Sequence, residues 1–358
     1  MGKFKEACLP KYFMDISQPK FHPQKFTGLL IPDRPIGDAD YIHGDPANPL
    51  GDLGLRVIVP DGDYRPYVCF GQPQSVPGVY DTDDCTGFGY CDEVATEMNA
   101  MWKLGLLPAA FITWSRAKNY IQTQNGQESF LFDPQVLGIM AGTTVNGNWL
   151  QTVAETARLG GLLPAGTLPG VAAYTKAADY YAATVTADMR ALGLEFLAQL
   201  NPGDPQHALA YQWIGSLDES TALKACPLYI ALVTCGGWNS PPVAWCNADP
   251  TASNHCVDEV YHDVVLDSYN PFLKQLSANY LIPYKMMVLV TPGNNQTAML
   301  KVTSQGQTIF IEGEKGKLGL ADEASLQLLS TLTADAPVPT NLATPQVGIL
   351  ESGFNVHK

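Results

Sequence analysis

The most regular pattern of apolar and polar positions begins at Cys85. From there to Trp102, apolar side chains recur at steps of three and four residues, which is the spacing of a helix with one buried face. Gly105 and Pro108 then interrupt the pattern as stop signals. The sequence therefore predicts a long amphipathic helix that starts at Cys85, with these apolar positions: Phe88, Cys91, Val94, Ala95, Met98, Met101 and Trp102.

Further elements follow in two groups. Helical patterns begin near Asp133 and continue over Trp149 to Gly160 and Tyr180 to Leu200. Apolar runs typical of strands come afterwards, at Cys226 to Val233, Val260 to Leu266 and Tyr280 to Val290. Helices first and strands afterwards favour an α+β fold with a helical lobe packed on an antiparallel sheet lobe.

Both ends of the chain differ from this body. Residues 1–60 are rich in Pro, Gly and Asp and predict an irregular N-terminal arm that packs on the core or on a partner protein, ending in a strand over Leu55 to Pro60. Residues 61–292 form the predicted main domain. Residues 293–358 predict a small C-terminal appendage with these elements: strands at Met299 to Val302 and Thr308 to Glu312, a turn at Lys315-Gly316 and a short helix over Asp322 to Leu332.

Composition and charge argue against several classes of protein and of binding partner. The 358 residues are 46% hydrophobic and 16% charged, which excludes a disordered chain, and the net charge of −14 argues against nucleic acid as a partner. No apolar run reaches the length of about 18 residues that a membrane span needs. The start, Met1 to Glu6, has no apolar signal core. We expect a cytoplasmic or virion-associated protein that does not bind a membrane.

Eight cysteines occur at irregular spacing, and no Cys-x-x-Cys pair is present. In a chain of this length the pattern predicts mostly reduced, buried thiols, and neither a metal site nor another cofactor.

Three short segments carry candidate chemistry. Cys85 opens the predicted helix, where the positive end of the helix dipole is expected to lower a thiol pKa. His255 and Asp267 follow on predicted strands. A thiol, an imidazole and a carboxylate in this order can act as nucleophile, base and orienting group. The charge of Asp267 is expected to favour imidazolium, so that a thiolate–imidazolium pair persists over a wide pH range.

Each of these residues has a plainer alternative. Cys85 can be a buried structural thiol, and Asp267 can cap a loop. Cys91 falls on the apolar stripe of the helix and is expected to pack in the core, while His262, in a predicted hairpin or loop, is the rival base. Trp238, with Trp245, either lines a cleft near the histidine or packs under a proline-rich loop.

The same segments resemble the papain-like cysteine peptidases, nearest to divergent bacterial and phage members, over roughly residues 61–292. The matching segments are Cys85-Thr86-Gly87-Phe88, Asn254-His255-Cys256-Val257 and Asp267-Ser268-Tyr269. The resemblance implies a two-lobed fold in which a central helix bearing the cysteine faces a sheet bearing the histidine. It also implies hydrolysis of peptide or isopeptide bonds in a peptide or protein substrate, through an acyl-enzyme formed on Cys85 with His255 and Asp267.

Two departures from that family leave an alternative open. The family's oxyanion-hole glutamine, about six residues before the cysteine, is replaced here by Val79, and Gln72 and Gln74 are the nearest amides. His255 follows Cys85 by 170 residues, more than the roughly 130–150 typical of the plant and lysosomal enzymes, so insertions are expected between residues 160 and 220. The alternative is an impaired papain-like domain that serves as a structural or binding component of a larger assembly, such as a phage or virus particle.

Overall fold

The computed structural model describes the central part of the chain in most detail. Side chains are described for residues 57–69, 71–124, 126–214, 219–234, 255–268, 273–277 and 284–293, and for Leu29, Leu30, Trp238, Tyr280 and Ile282. For residues 243–244, 253–254, 272, 297–304, 307–314 and 355–357 the backbone alone is described. Most of the predicted arm lies outside the described residues, as do the predicted turn Lys315-Gly316 and the predicted helix from Asp322 to Leu332.

Seven α-helices are described, and the first six precede every strand of the main sheet. In chain order they are α1 Cys85–Lys103, α2 Ala109–Ala117, α3 Pro134–Met140, α4 Leu150–Gly160, α5 Ala177–Tyr181, α6 Ala187–Leu200 and α7 Glu219–Ala225. Short 3-10 helices occupy Arg65–Tyr67, Val171–Ala173 and Pro205–His207.

The described strands are β1 Ser75–Val76, β2 Tyr80–Asp81, β3 Ile121–Gln124, β4 Gln127–Phe130, β5 Leu209–Trp213, β6 Leu228–Thr234, β7 Val243–Ala244, β8 Ser253–Tyr261, β9 Val264–Asp267, β10 Phe272–Leu276, β11 Tyr284–Val290, β12 Thr297–Ser304, β13 Gln307–Glu314 and β14 Asn355–His357. Seven of them form one sheet in the order β5-β11-β6-β8-β9-β10-β7, antiparallel except for the pair β10 and β7. The fold is therefore α+β, with helices and an antiparallel sheet, as the sequence predicts.

Helix α1 is the centre of this arrangement. It packs against α3 and α4 on one side and against β6, β8 and β11 of the main sheet on another. Asp84 caps its start by accepting the main-chain N–H of Gly87 at 3.3 Å, which satisfies one of the free amides of the first turn. The predicted helix is confirmed, but one expectation is wrong: every residue from Cys85 to Met101 is buried, so the helix has no exposed face over that length.

Some sequence-based boundaries also differ from the structure. Residues 57–60 of the predicted strand Leu55 to Pro60 form bends and a turn, because the N–H groups of Ile58 and Val59 both donate to the carbonyl of Lys224 and not to a strand partner. The run Val260 to Leu266 is split by the β8–β9 hairpin turn. The predicted helix from Tyr180 to Leu200 is two helices, α5 and α6, and the second begins where Thr186 caps it.

The predictions for the cysteines and for two C-terminal strands are confirmed. Among the described residues all five cysteines are buried and free of disulfide bonds: Cys69, Cys85, Cys91, Cys226 and Cys256. The two strands predicted in the C-terminal appendage correspond to β12 and β13, which pair with each other. Within the described part of the chain, no helix has the length and apolar character needed to cross a membrane.

Because α1 is buried on all sides, it carries three carboxyl groups into the interior: Asp92, Glu93 and Glu97. Glu97 accepts the main-chain N–H of Val290, and Asp92 accepts the hydroxyl of Ser268 at 2.6 Å. Burial raises the pKa of Asp92 to about 7. Burial also raises the pKa of Glu93 well above its usual value. Asp92 and Glu93 therefore favour the neutral carboxylic acid in the folded protein.

Asp92 makes folding pH-dependent. Because burial raises its pKa from 3.8 to about 7, the folded protein holds a proton there that the unfolded chain releases. The contribution of Asp92 to the free energy of unfolding is therefore greatest below about pH 4 and falls by on the order of 4 kcal/mol as the pH rises to about 7. In Asp92→Asn this part of the fall is expected to vanish, as measured by urea unfolding from pH 4 to 8.

The matched control is Asp188→Asn, which removes an exposed carboxylate from α6. Its unfolding free energy is expected to follow the same pH dependence as that of the unchanged protein. An unchanged pH dependence in Asp92→Asn would contradict a proton held at Asp92.

Candidate active site

Cys85 is held at the start of α1 by a tight acidic turn. Asp83 adopts the left-handed backbone region with φ of 58°, which Asp tolerates better than most residues, and its N–H bonds Asp81 Oδ1 at 3.0 Å. On the far side of the first helical turn, Tyr229 Oη donates to the carbonyl of Thr86 at 2.6 Å. A Cβ at Gly89 would lie 3.2 Å from Cys256 Sγ. Glycine at that position lets the helix approach β8 closely.

That approach brings the thiol to the strand that carries the histidine. The main-chain N–H of Cys256, the residue after His255, lies close enough to the sulfur of Cys85 to act on the pKa of this thiol. Cys85 and β8 are therefore in contact through the backbone next to His255. The first two of the three sequence-predicted site residues thus belong to one neighbourhood, although they are 170 positions apart in the chain.

His255 and Asp267 are joined directly. His255 Nε2 lies 3.0 Å from Asp267 Oδ1, and both side chains are buried, with 1% and 0% of their surface exposed. A carboxylate at this nitrogen stabilises the tautomer in which Nε2 carries the proton. Nδ1 is then the nitrogen that would accept a proton from a thiol. Asp267 therefore fixes the orientation of the imidazole through this bond.

Two further residues belong to this group, Lys274 and Trp238, and only Trp238 was among the sequence-based predictions. Lys274 Nζ lies 2.7 Å from Asp267 Oδ2 and 3.8 Å from the ring centroid of Trp238. Trp238 in turn packs edge-on against His255, with ring centroids 5.7 Å apart. Trp238 therefore lies near the histidine, whereas Trp245 lies outside the described residues. A signal for Lys274 was present in the sequence, because it is a lone cation in the apolar run Phe272 to Leu276.

The carboxylate of Asp267 interacts with both His255 and Lys274. Burial acts to raise its pKa, but the positive charges of Lys274 and His255 outweigh burial and hold the pKa of Asp267 below its usual range. Burial lowers the pKa of Lys274, and Asp267 opposes that shift. Asp267 therefore has two cationic partners, and its charge does not act on the imidazole alone.

Gln74 and Asp81 border the same site from the side of the acidic turn. Gln74 is buried, its N–H donates to the carbonyl of Ser268 at 2.9 Å, and its Nε2 donates to Asp81 Oδ1 at 2.9 Å. Burial raises the pKa of Asp81, and the positive charge of His255 acts in the opposite direction. Val79, at the position where the resemblance places a glutamine, is 55% exposed in the turn between β1 and β2.

The thiol itself does not have the predicted acidity. Burial raises the pKa of Cys85 well above its usual value; the N–H of Cys256 opposes this shift, and the carboxylates of Asp81, Asp84 and Asp83 add to it. The predicted lowering of the thiol pKa is therefore wrong, because burial and three acidic neighbours outweigh the helix start. The resting group is a neutral thiol, and a standing thiolate–imidazolium pair is not expected.

The two rival residues lie in other environments. Cys91 is buried in the main hydrophobic core, as the apolar stripe predicts. His262 lies in the hairpin turn between β8 and β9, with 68% of its side chain exposed, and its Nδ1 is 2.8 Å from Glu219 Oε1. His262 is therefore part of an ion-pair cluster at the surface and not of the group around Asp267.

That cluster has the donor types of a metal site. The ligand atoms of Glu219, Glu259, His262 and Asp263 lie within 4.8 Å of one another, and no other group of this kind occurs among the described residues. Lys285 Nζ contacts Glu219 and lies 3.7 Å from Glu259, so a cation is already supplied by the protein. Ion pairing accounts for the cluster.

A tyrosine-bearing segment covers the cysteine turn. Cys85 has 1% of its surface exposed. Tyr181 Oη, at the end of α5, donates to the carbonyl of Thr82 at 2.8 Å. In return, Tyr80 Oη donates to the carbonyl of Val171 at 2.6 Å. The segment 171–181 lies within the region where the long Cys–His spacing led us to expect an insertion.

We expect Tyr181 to limit access to the thiol. Tyr181→Ala removes both the ring and the hydrogen bond to Thr82, so that the turn around Cys85 opens more often. Alkylation of Cys85 by iodoacetamide, mapped by mass spectrometry, should become at least about fivefold faster, the effect of losing one hydrogen bond of about 1 kcal/mol. Tyr174→Phe is the control, because the hydroxyl of Tyr174 bonds Gln135 instead. Equal rates in the two variants would contradict a covering role for Tyr181.

Comparison of the sequence with models of known protein families and with curated proteins found no match.

Proposed function

We propose that the chain is a papain-like cysteine peptidase that hydrolyses peptide or isopeptide bonds, with Cys85 as nucleophile, His255 as base and Asp267 as orienting group. The observation that carries the proposal is the buried hydrogen bond from His255 Nε2 to Asp267 Oδ1, 3.0 Å long, on the strand whose next residue, Cys256, interacts through its backbone with the Cys85 thiol at the helix start. A histidine held in one tautomer next to a cysteine is the arrangement that thiol nucleophiles need.

The raised pKa of Cys85 implies how the reaction starts. Because the resting thiol is neutral, His255 Nδ1 removes its proton when the sulfur attacks the substrate carbonyl. The imidazolium then delivers this proton to the leaving amine, and a thioester forms on Cys85. Water, deprotonated by His255, releases the acid and restores the thiol. Asp267 keeps the imidazole in one orientation throughout.

Gln74 is the proposed donor to the oxyanion that forms in both steps. Its side-chain amide lies on the acidic turn that leads to Cys85, and its main chain is bonded to Ser268, the residue after Asp267. To donate to substrate, Nε2 would exchange Asp81 Oδ1 for the oxyanion. Gln74 would then do the work that the resemblance assigned to the position of Val79.

A second candidate function has one specific observation in its favour. The thiol is buried and its pKa is raised, as expected of a cysteine that no longer reacts. In that case the chain is a papain-like domain that serves as a structural or binding component of a larger assembly.

Covalent labelling separates the two functions. An epoxide or iodoacetamide probe at neutral pH is expected to label Cys85 selectively and to block cleavage of a peptide library, read by mass spectrometry. Cys85→Ala should reduce cleavage by more than about 10⁴-fold, and His255→Ala by about 10²–10⁴-fold. The matched controls, Cys91→Ala and His262→Ala, should keep both labelling and cleavage. Slow, equal labelling of all cysteines, even in Tyr181→Ala, would reject the peptidase and favour the structural component.

The role of Gln74 is tested separately. Gln74→Ala is expected to lower kcat by about 10²–10³-fold with little change in KM, because an oxyanion donor acts on the transition state and not on the bound substrate. Gln72→Ala is the control, since Gln72 is the other nearby amide and its side chain lies by Gly170. Equal losses in both variants, or a change in KM alone, would exclude Gln74 as the donor.

A further inference from the structure

Lys274 occupies a position that the sheet register defines. In the antiparallel pair of β9 and β10, Asp267 is opposite Phe272, and Lys274 is two residues beyond Phe272. Residues two apart on a strand point to the same face, so Lys274 and Asp267 are diagonal neighbours on one face of the sheet. Their ionic contact of 2.7 Å is thus built into the strand pairing.

The contact is enclosed on every side that the structure describes. The side chains of Lys274 and Asp267 are 6% and 0% exposed. The indole of Trp238, which is 2% exposed, lies 3.8 Å from the ammonium and also borders the ring of His255. Charges in such a dry setting are screened little by solvent and act strongly on their neighbours. The ammonium of Lys274 therefore affects the imidazole as well as the carboxylate.

We propose that Lys274 is a positioning residue that cancels the charge of Asp267, so that the pair acts on His255 as a neutral hydrogen-bond acceptor. In the family that the sequence resembles, the position of Asp267 is occupied by an uncharged amide. An Asp–Lys pair has the same net charge as an amide and offers the same acceptor oxygen to Nε2. The role of Lys274 at a catalytic site rests on the proposed function. The effect of the Asp267–Lys274 pair on the pKa of His255 does not depend on that function.

Other charges also face the imidazole. On the side of the cysteine turn this is the carboxylate of Asp81, while the neutral thiol of Cys85 interacts with the backbone of Cys256, the next residue; on the sheet side they are Asp267 and Lys274. Asp258 lies farther along β8 and interacts with Asp267. The variants below change only Asp267 and Lys274, so the contributions of the remaining groups stay constant.

The experiment is a double-mutant cycle that follows the pKa of His255 by NMR of histidine-labelled full-length protein, with His255→Gln used to assign the signal. Lys274→Met keeps the apolar stem against Trp238 and removes the ammonium that opposes the carboxylate. The pKa of His255 should rise by at least about one unit, a tenfold change in its protonation equilibrium. Asp267→Asn removes the carboxylate that opposes the ammonium and should lower the pKa by a similar amount. The double variant should return to within about half a unit of the unchanged protein.

Lys285→Met is the matched control. Lys285 is a partly buried lysine on β11 of the same sheet, and it pairs with Glu219 of α7. The His255 titration of this variant should match that of the unchanged protein. If a single variant does not fold, the double variant still tests the proposal, because it contains neither of the two buried charges. A His255 pKa near the original value supports charge cancellation.

Two results would overturn the proposal. One is an unchanged His255 titration in Lys274→Met, which would make Lys274 a packing residue. The other is a double variant whose His255 pKa departs from the original by a full unit or more. Failure of Cys85 to react would reject the peptidase but would leave this titration, and hence the test of Lys274, unaffected.

Discussion

The burial of α1 on all sides is the constraint on which the rest of the structure depends. From Cys85 to Met101 no residue of the helix is exposed, and the helix is held between α3 and α4 and the main sheet. Gly89 lets it approach Cys256 closely. Because the helix cannot shift without opening the core, its first residue is held against β8. The packing that stabilises the fold is therefore also what places the thiol beside the histidine strand.

The same burial decides the charges of the interior, and it does so in two opposite ways. Asp92 is enclosed with a hydroxyl from Ser268 as its partner, and its pKa rises to about 7. Asp267, the neighbour of that serine in the chain, has an ammonium and an imidazole as partners, and its pKa falls. A buried carboxyl group becomes neutral unless cations are close enough to outweigh the loss of water. Lys274 is what makes the difference between the two groups.

These charges also change the expected chemistry of the thiol. A helix start alone would favour the thiolate, but burial and the acidic turn of Asp81, Asp83 and Asp84 act more strongly. A carboxylate beside His255 would favour imidazolium, but Lys274 shares its charge. The resting thiol is therefore neutral, and in the proposed reaction it loses its proton only when a substrate is present. Tyr181, bonded to Thr82, covers the turn in this resting state.

Local patterns in the sequence were sufficient to predict part of the fold and part of the candidate site. The step of three and four residues located α1, and the order of helices and strands predicted an α+β fold, because both depend on neighbours in the chain. The short segments around Cys85, His255 and Asp267 identified groups that lie together. Long-range pairing decided the rest: the residues that cover α1, the register that brings Lys274 to Asp267, and the burial that raises the thiol pKa. Charge and solvation depend on which distant residues surround a group, and only the tertiary structure determines them.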